Sequence, residues 1–226
     1  MSVTSIKEFT FRDLATSESL SVRIPEVVDA SYGLYVWPSA PVLAQYTWLH
    51  RHKVRGKSVL EIGAGTGLPG IVAAKCGARV TLSDSVALPQ CRDRCRSSAE
   101  ANGLSDVSVM GITWGFISPD LMDLPSLDLI LASDCFYDTK DFEDVVMTLS
   151  CLLHQNPHAE VWCAYQVRSP SKTIELLLSK WKLRGEQVPL PDMTTVQCSV
   201  TSHAQQEVLL FALRLNTAAA LEDALS

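Results

Sequence analysis

Short apolar runs alternate with segments of helical period from residue 58 to residue 185, and no other feature of the chain restricts its fold as much. Ser58-Val59-Leu60-Glu61-Ile62, Val80-Thr81-Leu82-Ser83, the stretch 107–112, Leu127-Asp128-Leu129-Ile130-Leu131-Ala132 and Glu160-Val161-Trp162-Cys163-Ala164-Tyr165 read as strands. Between them, 71–76 reads as a helix closed by Gly77, and another helix ends near Asn102-Gly103. Phe142, Val145, Val146, Leu149, Leu152 and Leu153 trace one helical stripe, with Asp138 or Thr139 as its cap. Ser169-Pro170 opens a further helix with Ile174, Leu177, Leu178 and Trp181 on one face, and 207–215 reads as a last strand. Such alternation argues for a parallel sheet with helices on both faces, a doubly wound, Rossmann-like α/β fold. Ahead of it, 38–52 reads as a helix, and 6–11 with 19–25 as a β-hairpin. The expected division is an N-terminal β extension over 1–32 packed on the core, a catalytic domain over 33–215, and a tail over 216–226.

In a doubly wound sheet the ligand sits beyond the carboxyl ends of the strands, where the strand order reverses. The chemistry is therefore expected just after Ile62, Ser83, Ile112 and Ala132. The first of these places carries Glu61-Ile62-Gly63-Ala64-Gly65-Thr66-Gly67, and glycines there permit positive φ and close approach of a ligand to the backbone. Two readings compete. Gly65-Thr66-Gly67-Leu68-Pro69-Gly70 fits the G-x-G-x-x-G dinucleotide pattern. The acid followed by three alternate glycines fits a loop for S-adenosylmethionine. Glu61 decides for the second, because a dinucleotide strand runs apolar into its first glycine. A buried Glu61 needs partners, and amides of the tight loop would serve.

Asp84 follows the second strand, where a carboxylate can accept from both hydroxyls of an adenosine ribose or cap the next helix. Trp114 follows the third, either flanking an adenine or filling the core. Ser133-Asp134-Cys135-Phe136-Tyr137 follows the fourth. There Asp134 and the Tyr137 ring could hold a cationic amine, or Asp134 could cap a helix; Asp138 and Thr139 stand better placed for capping.

The 226 residues suit one α/β domain, and a 47% hydrophobic fraction suffices for a large core. The net charge of −6 and the absence of a Lys/Arg run disfavour direct nucleic-acid binding and favour a basic peptide partner. No segment approaches the roughly 18 uninterrupted apolar residues of a membrane span, and the first residues do not look like a signal peptide, so an intracellular, soluble protein is expected. The seven cysteines form no C-x-x-C pair; they read as buried thiols of a reducing compartment, and no metal site is expected.

Taken together, Tyr35-Val36-Trp37-Pro38, Leu60-Glu61-Ile62-Gly63-Ala64-Gly65-Thr66-Gly67, Leu82-Ser83-Asp84, Thr113-Trp114-Gly115 and Asp134-Cys135-Phe136-Tyr137 resemble the lysine methyltransferase family 16 branch of the seven-strand, class I methyltransferases. The resemblance covers about residues 33–213. It implies seven strands with the last antiparallel, and S-adenosylmethionine as cofactor. It implies that Trp37, Gly63, Ala64, Gly65, Asp84, Trp114 and Ser133 line the cofactor site, above Glu61 at the strand end. Asp134 and Tyr137 would meet the substrate nitrogen. The implied reaction moves a methyl group to a side-chain nitrogen of a protein, lysine or a histone arginine. The implied substrates are a histone or a chaperone, in cytoplasm and nucleus. Many members carry an acid where this chain has Thr113, which removes an acidic role from that position. An NAD-dependent oxidoreductase, for which the chain lacks an evident Tyr-x-x-x-Lys pair, and a scaffold that kept only the fold are the rival readings.

Overall fold

The computed structural model describes residues 3–28, 34–167, 174–199 and 207–216. In chain order the elements are β1 (Val3–Asp13), β2 (Glu18–Val28), α1 (Ser39–Leu49), α2 (Arg51–Val54), β3 (Ser58–Ile62), α3 (Leu68–Lys75), β4 (Arg79–Asp84), α4 (Pro89–Ala101), β5 (Ser108–Gly111), α5 (Pro119–Met122), β6 (Leu129–Ser133), α6 (Phe142–Gln155), β7 (Glu160–Gln166), α7 (Glu175–Lys180), β8 (Leu183–Gln187), β9 (Val196–Cys198) and β10 (Val208–Leu215).

Seven strands form the central sheet in the order β5-β4-β3-β6-β7-β10-β8. The first five run parallel, and β10 runs antiparallel to both neighbours. The doubly wound sheet and its reversed last strand are thus as expected. Successive strands leave β3 first towards β5 and then, from β6, towards the other edge. The reversal lies between β3 and β6, and their carboxyl ends open the crevice.

Period-two alternation splits the core into two layers. Val59, Leu82, Leu129, Leu131, Trp162 and Ala164 face the cluster under α1, α3 and α4. Leu60, Ile62, Ile130, Ala132, Val161 and Cys163 face the cluster under α6 and α7. The α6 stripe read from the sequence, Phe142 to Leu153, is buried throughout. Gly77 closes α3 at φ +92°, a conformation that side chains resist.

Several expectations need correction. The helix expected over 38–52 is interrupted at His50, whose backbone and ring nitrogens both engage the Tyr46 carbonyl; a second short helix then runs to Val54. Neither Asp138 nor Thr139 caps α6. Asp141 stands at the cap position without a side-chain bond, and Asp138 instead closes the preceding turn through the Lys140 and Asp141 amides. The strands β8 and β9 have no signature in the residue pattern. The first shows only one buried side chain and the second has three residues, so neither has an alternation to detect. The Ser169-Pro170 helix start and the tail lie outside the described residues, although Ile174 and Leu178 of the expected helix face are buried.

The expected hairpin is longer than the sequence suggested, with Val3 to Asp13 pairing Val28 to Glu18 in unbroken register. It is extended by β9 into a three-stranded antiparallel sheet. Phe9, Phe11, Val22 and Ile24 seat it in the core. Gln45 on α1 donates to the Arg12 carbonyl (3.0 Å) and to Thr195 Oγ1 (2.8 Å), tying hairpin, helix and β9 turn together. The outer edge of β2 meets a side chain: Asn102 Oδ1 accepts from the Arg23 amide (3.0 Å) and its Nδ2 donates to the Arg23 carbonyl (2.7 Å), which blunts the open edge.

Candidate active site

Strand β3 is buried along its whole length, including Glu61. Its Oε2 accepts the Gly70 amide at 2.8 Å, where α3 begins, and its Oε1 has no hydrogen-bond partner among the described residues. Burial pushes this carboxyl up to about 8, so it stands protonated at neutral pH. The expectation that amides of the loop would serve Glu61 is corrected: its one amide partner comes from the first turn of α3. Glu61 consequently lies beneath the glycine loop and does not reach the cavity above it.

Gly63, Gly65 and Gly67 all have φ between +53° and +74°. Each alternate peptide thus turns in the left-handed sense that glycine alone enters without strain. A Cβ on Gly63 would stand 2.7 Å from the Trp114 ring and 3.0 Å from Cys135 Sγ. Gly70 matters for packing instead. A Cβ there would collide with Leu82 and lie 2.5 Å from Glu61 Oε2, so its absence lets α3 sit directly on β3 and β4. The literal G-x-G-x-x-G match therefore ends in a packing glycine.

Asp84 closes β4 beside this loop. Its Oδ2 accepts from the Gly65 amide and its Oδ1 from the Ser85 amide, both at 2.8 Å. Burial raises its pKa, and the two amides work against that rise. The alternative role as a helix cap fails, because α4 starts five residues later with Leu88 at its cap.

Trp114 leaves β5 through Gly115, whose amide donates to Thr148 Oγ1 on α6 (3.0 Å) and whose missing Cβ makes room for the Asp144 carboxylate. Its ring stands 6.4 Å from that of Tyr137. Asp134 begins the turn after β6 at φ +55°, an uncommon conformation for a side-chain-bearing residue, and functional sites concentrate such strain. It is held from both sides of the chain: its amide donates to the Ala164 carbonyl (2.7 Å) and its Oδ1 accepts from the Gln166 amide (3.2 Å). Asp134 thus clamps the carboxyl end of β7 as well as bordering the cleft. Burial, then the charge of Asp141, pushes the Tyr137 hydroxyl up to about 12, so it is a neutral phenol across the physiological range.

Trp37, Gly63, Ala64, Gly65, Asp84, Trp114, Ser133, Asp134 and Tyr137 all line one cleft. Glu61 alone of the expected residues does not. Tyr35, Thr66 and Cys135, which lie inside the sequence motifs without an assigned role, also line it, as do Ala40, Leu88 and Cys91, which no motif contains. Cys91 and Cys95, four apart on one helix face, are both buried, with Cys95 donating to the Gly65 carbonyl (3.4 Å). Their nearness to the loop depends on how α4 packs. Asp84, Leu88, Trp114 and Tyr137 also border an adjoining cavity, whose wall adds Asp141 and Asp144. No cluster of metal-ligating side chains occurs among the described residues, and no helix among them is long and apolar enough to cross a membrane.

The cleft suits an adenosyl sulfonium. Its glycine floor admits close approach, and Asp84 offers a carboxylate whose two oxygens have acceptor sites beyond the two amides. Ser133 Oγ is buried without a hydrogen-bond partner among the described residues, and the residue lines the cleft. Sheet order, glycine loop and acid after β4 together define a class I methyltransferase. The solved structures with this fold agree. They include a ribosomal protein L11 methylase from Lactobacillus delbrueckii subsp. bulgaricus (TM-score 0.56, 20% identity, 80% of each chain). Another is SMU.776, a putative methyltransferase complexed with SAH (TM-score 0.56, 13% identity, 86% of this chain and 54% of that one).

The lysine methyltransferase family matches over residues 16–178, and the chain belongs to that family. Among its relatives, the histone-arginine methyltransferase METTL23 of Xenopus laevis is 52% identical over 82% of this chain and 79% of its own. That of Homo sapiens is 54% identical over 70% and 83%. The protein N-lysine methyltransferase METTL21A of Xenopus tropicalis is 37% identical over 53% and 55%. The protein is an S-adenosylmethionine-dependent protein N-methyltransferase. Nothing in these comparisons supports a dinucleotide oxidoreductase or a non-catalytic scaffold.

Proposed function

We propose that this enzyme methylates an arginine side chain of a histone, in nucleus and cytoplasm. The observation that carries the reading is identity above 50% to relatives named for histone-arginine methylation, across most of both chains. The site chemistry is compatible. Asp134 and Tyr137 border the cleft, and Asp141 and Asp144 add carboxylates beside it, so its charge favours a cationic peptide over a phosphate backbone.

The cofactor brings a methyl group on a cationic sulfur, ready for in-line displacement by a nitrogen. Holding it falls to the glycine-loop amides and Asp84, with Trp37 and Trp114 as aromatic walls and Ser133 as a hydroxyl partner. A neutral Tyr137 cannot act as the base, because its hydroxyl stays protonated; its ring face and O–H shape the pocket. Asp134 orients the guanidinium and accepts, directly or through water, the proton that the attacking nitrogen sheds. Orientation accounts for most of the rate gain in such a displacement, since alignment replaces a bimolecular encounter.

Lysine is the second reading, favoured by the name of the family and by METTL21A. Radiolabelled methyl transfer to recombinant histones, followed by mass spectrometry of the labelled peptides, decides between them. Methylarginine in a histone is expected. Methyllysine alone, or label only in non-histone proteins, would overturn the reading.

A further inference from the structure

The N-terminal hairpin reaches the catalytic cleft through one buried carboxylate. Glu26, near the end of β2, is 3% exposed. Its Oε1 accepts the Val36 amide at 2.6 Å, and its Oε2 pairs with Lys7 Nζ of β1 at 3.0 Å. Carboxylates are rarely buried without partners, and Glu26 has one on each oxygen. Val36 belongs to neither helix nor strand, so its amide has no ladder to join. Its neighbours Tyr35 and Trp37 both line the cleft, with rings 4.6 Å apart, while Val36 itself packs on the core behind them. Pro38 biases Trp37 towards extended backbone, which turns alternate side chains to opposite sides. Val27 donates to the Leu34 carbonyl (2.9 Å), and these two side chains pack on Cys91, another cleft-lining residue.

We propose that Glu26 is a positioning residue for methyl transfer: its carboxylate, anchored by Lys7, holds the Val36 amide and thereby sets the Tyr35–Trp37 wall against the cofactor. The Val36 amide and the Val27–Leu34 bond tie the segment that carries the wall to β2, and α1 after Pro38 holds its other end. Loss of the Val36 bond removes the tie that lies between the two rings. The inference rests on S-adenosylmethionine as the cofactor but not on the identity of the substrate.

The test uses the full chain, with S-adenosylhomocysteine as probe, read by calorimetry and by tryptophan fluorescence. Glu26→Asp retains the charge but shortens the reach to the Val36 amide, so its affinity should fall about tenfold and its fluorescence response should shrink. Glu26→Gln retains an acceptor of the right length for the Val36 amide but loses the Lys7 pair, so its affinity should fall less than that of Glu26→Asp. Methyl transfer measured across cofactor concentrations should show the same loss in Glu26→Asp as a raised KM for S-adenosylmethionine. If Glu26→Asp melts lower yet binds the probe as tightly as the unaltered protein, Glu26 only stabilises the hairpin and the proposal is overturned. Should Glu26→Asp lack a cooperative melt, Glu26→Gln compared with Glu26→Leu supplies the measurement: both lose the Lys7 pair, but Glu26→Leu also leaves the Val36 amide without an acceptor and should bind the probe at least tenfold more weakly, and equal binding by both overturns the proposal. Failure of the unaltered protein itself to bind the probe would refute the cofactor assignment instead.

Discussion

At the scale of single residues, the two carboxylates of the glycine loop behave oppositely. Asp84 spans the loop and the end of β4 and faces the cleft, so Asp84→Ala should weaken S-adenosylmethionine binding at least tenfold, a charge-assisted bond contributing about 1.5–3 kcal/mol. Calorimetric titration reads this directly, and unchanged affinity would return Asp84 to a purely structural role. Glu61 instead makes its mark through pH. Its folded pKa of about 8 lies above the ordinary 4.5, so the folded chain binds that proton more tightly than the unfolded one. Stability is therefore greatest below 4.5, declines as pH rises from there to about 8, and is flat beyond. Glu61→Gln cannot ionise, so its melting temperature should rise relative to the unaltered protein across that window, by several degrees for a difference of a few kcal/mol. A gap that does not change with pH would show that Glu61 stays neutral, or charged, throughout. For Asp134 the structure changes which variant is informative. Asp134→Ala would also release the Gln166 amide, whereas Asp134→Asn keeps that acceptor and should spare cofactor affinity while lowering methyl incorporation at least tenfold. Near-normal incorporation by a folded Asp134→Asn would remove Asp134 from the mechanism.

At the scale of elements, the site depends on how closely α3 packs on β3 and β4. Gly70→Ala would press a methyl into Leu82 and the Glu61 carboxyl. Overpacking of this kind costs about 1–3 kcal/mol, and because α3 follows directly on the loop, affinity for S-adenosylmethionine should fall with it. Thermal melts and cofactor titration on the same preparation check both, and loss of stability with intact affinity would show that the loop holds its shape without α3. Elements differ in how readable they are. Buried parallel strands such as β3 and β6 stand out as continuous apolar runs. The edge strand β8 and the three-residue β9 carry no such pattern, since both derive their strand character from a neighbour's hydrogen bonds. The cap of α6 eludes the sequence for a related reason: Asp138 is a good capping residue by type, but its side chain closes a turn one step earlier.

At the scale of the molecule, the hairpin, α1 and the β9 turn act as one unit behind the cleft. Gln45 is 1% exposed and supplies two of the hydrogen bonds that join them. Gln45→Ala removes both bonds, although the Thr195 hydroxyl keeps its own bond to the Asp192 carbonyl; a loss of about 1–3 kcal/mol is expected, which for a domain of this size lowers the melting temperature by roughly 2–12 °C. Differential scanning calorimetry reads the shift, and a change under a degree would mean that the apolar contacts of Phe9, Phe11, Val22 and Ile24 hold the hairpin alone. Arg51 adds a second tie on the same side, paired with Asp13 and Glu18 and stacked 4.4 Å over Trp48.

Local chemistry alone determined that a glycine loop with an acid before it follows the first parallel strand, that acids stand at the ends of the second and fourth, and that the sheet is parallel and covered on both faces. Those features depend on near neighbours: backbone freedom at glycine, the period of apolar residues, the order of strand and helix. Tertiary packing decided the rest. It placed Glu61 under the loop rather than in the cleft, because the α3 amide lay nearer than the cavity. It bound Asp134 to β7, and brought Tyr35, Leu88, Cys91 and Cys135 into the wall. It also joined the first 28 residues to the site through Glu26 and Val36, a contact between residues ten apart whose pairing no period or spacing encodes, since it exists only once β2 and the chain after it are folded back on each other.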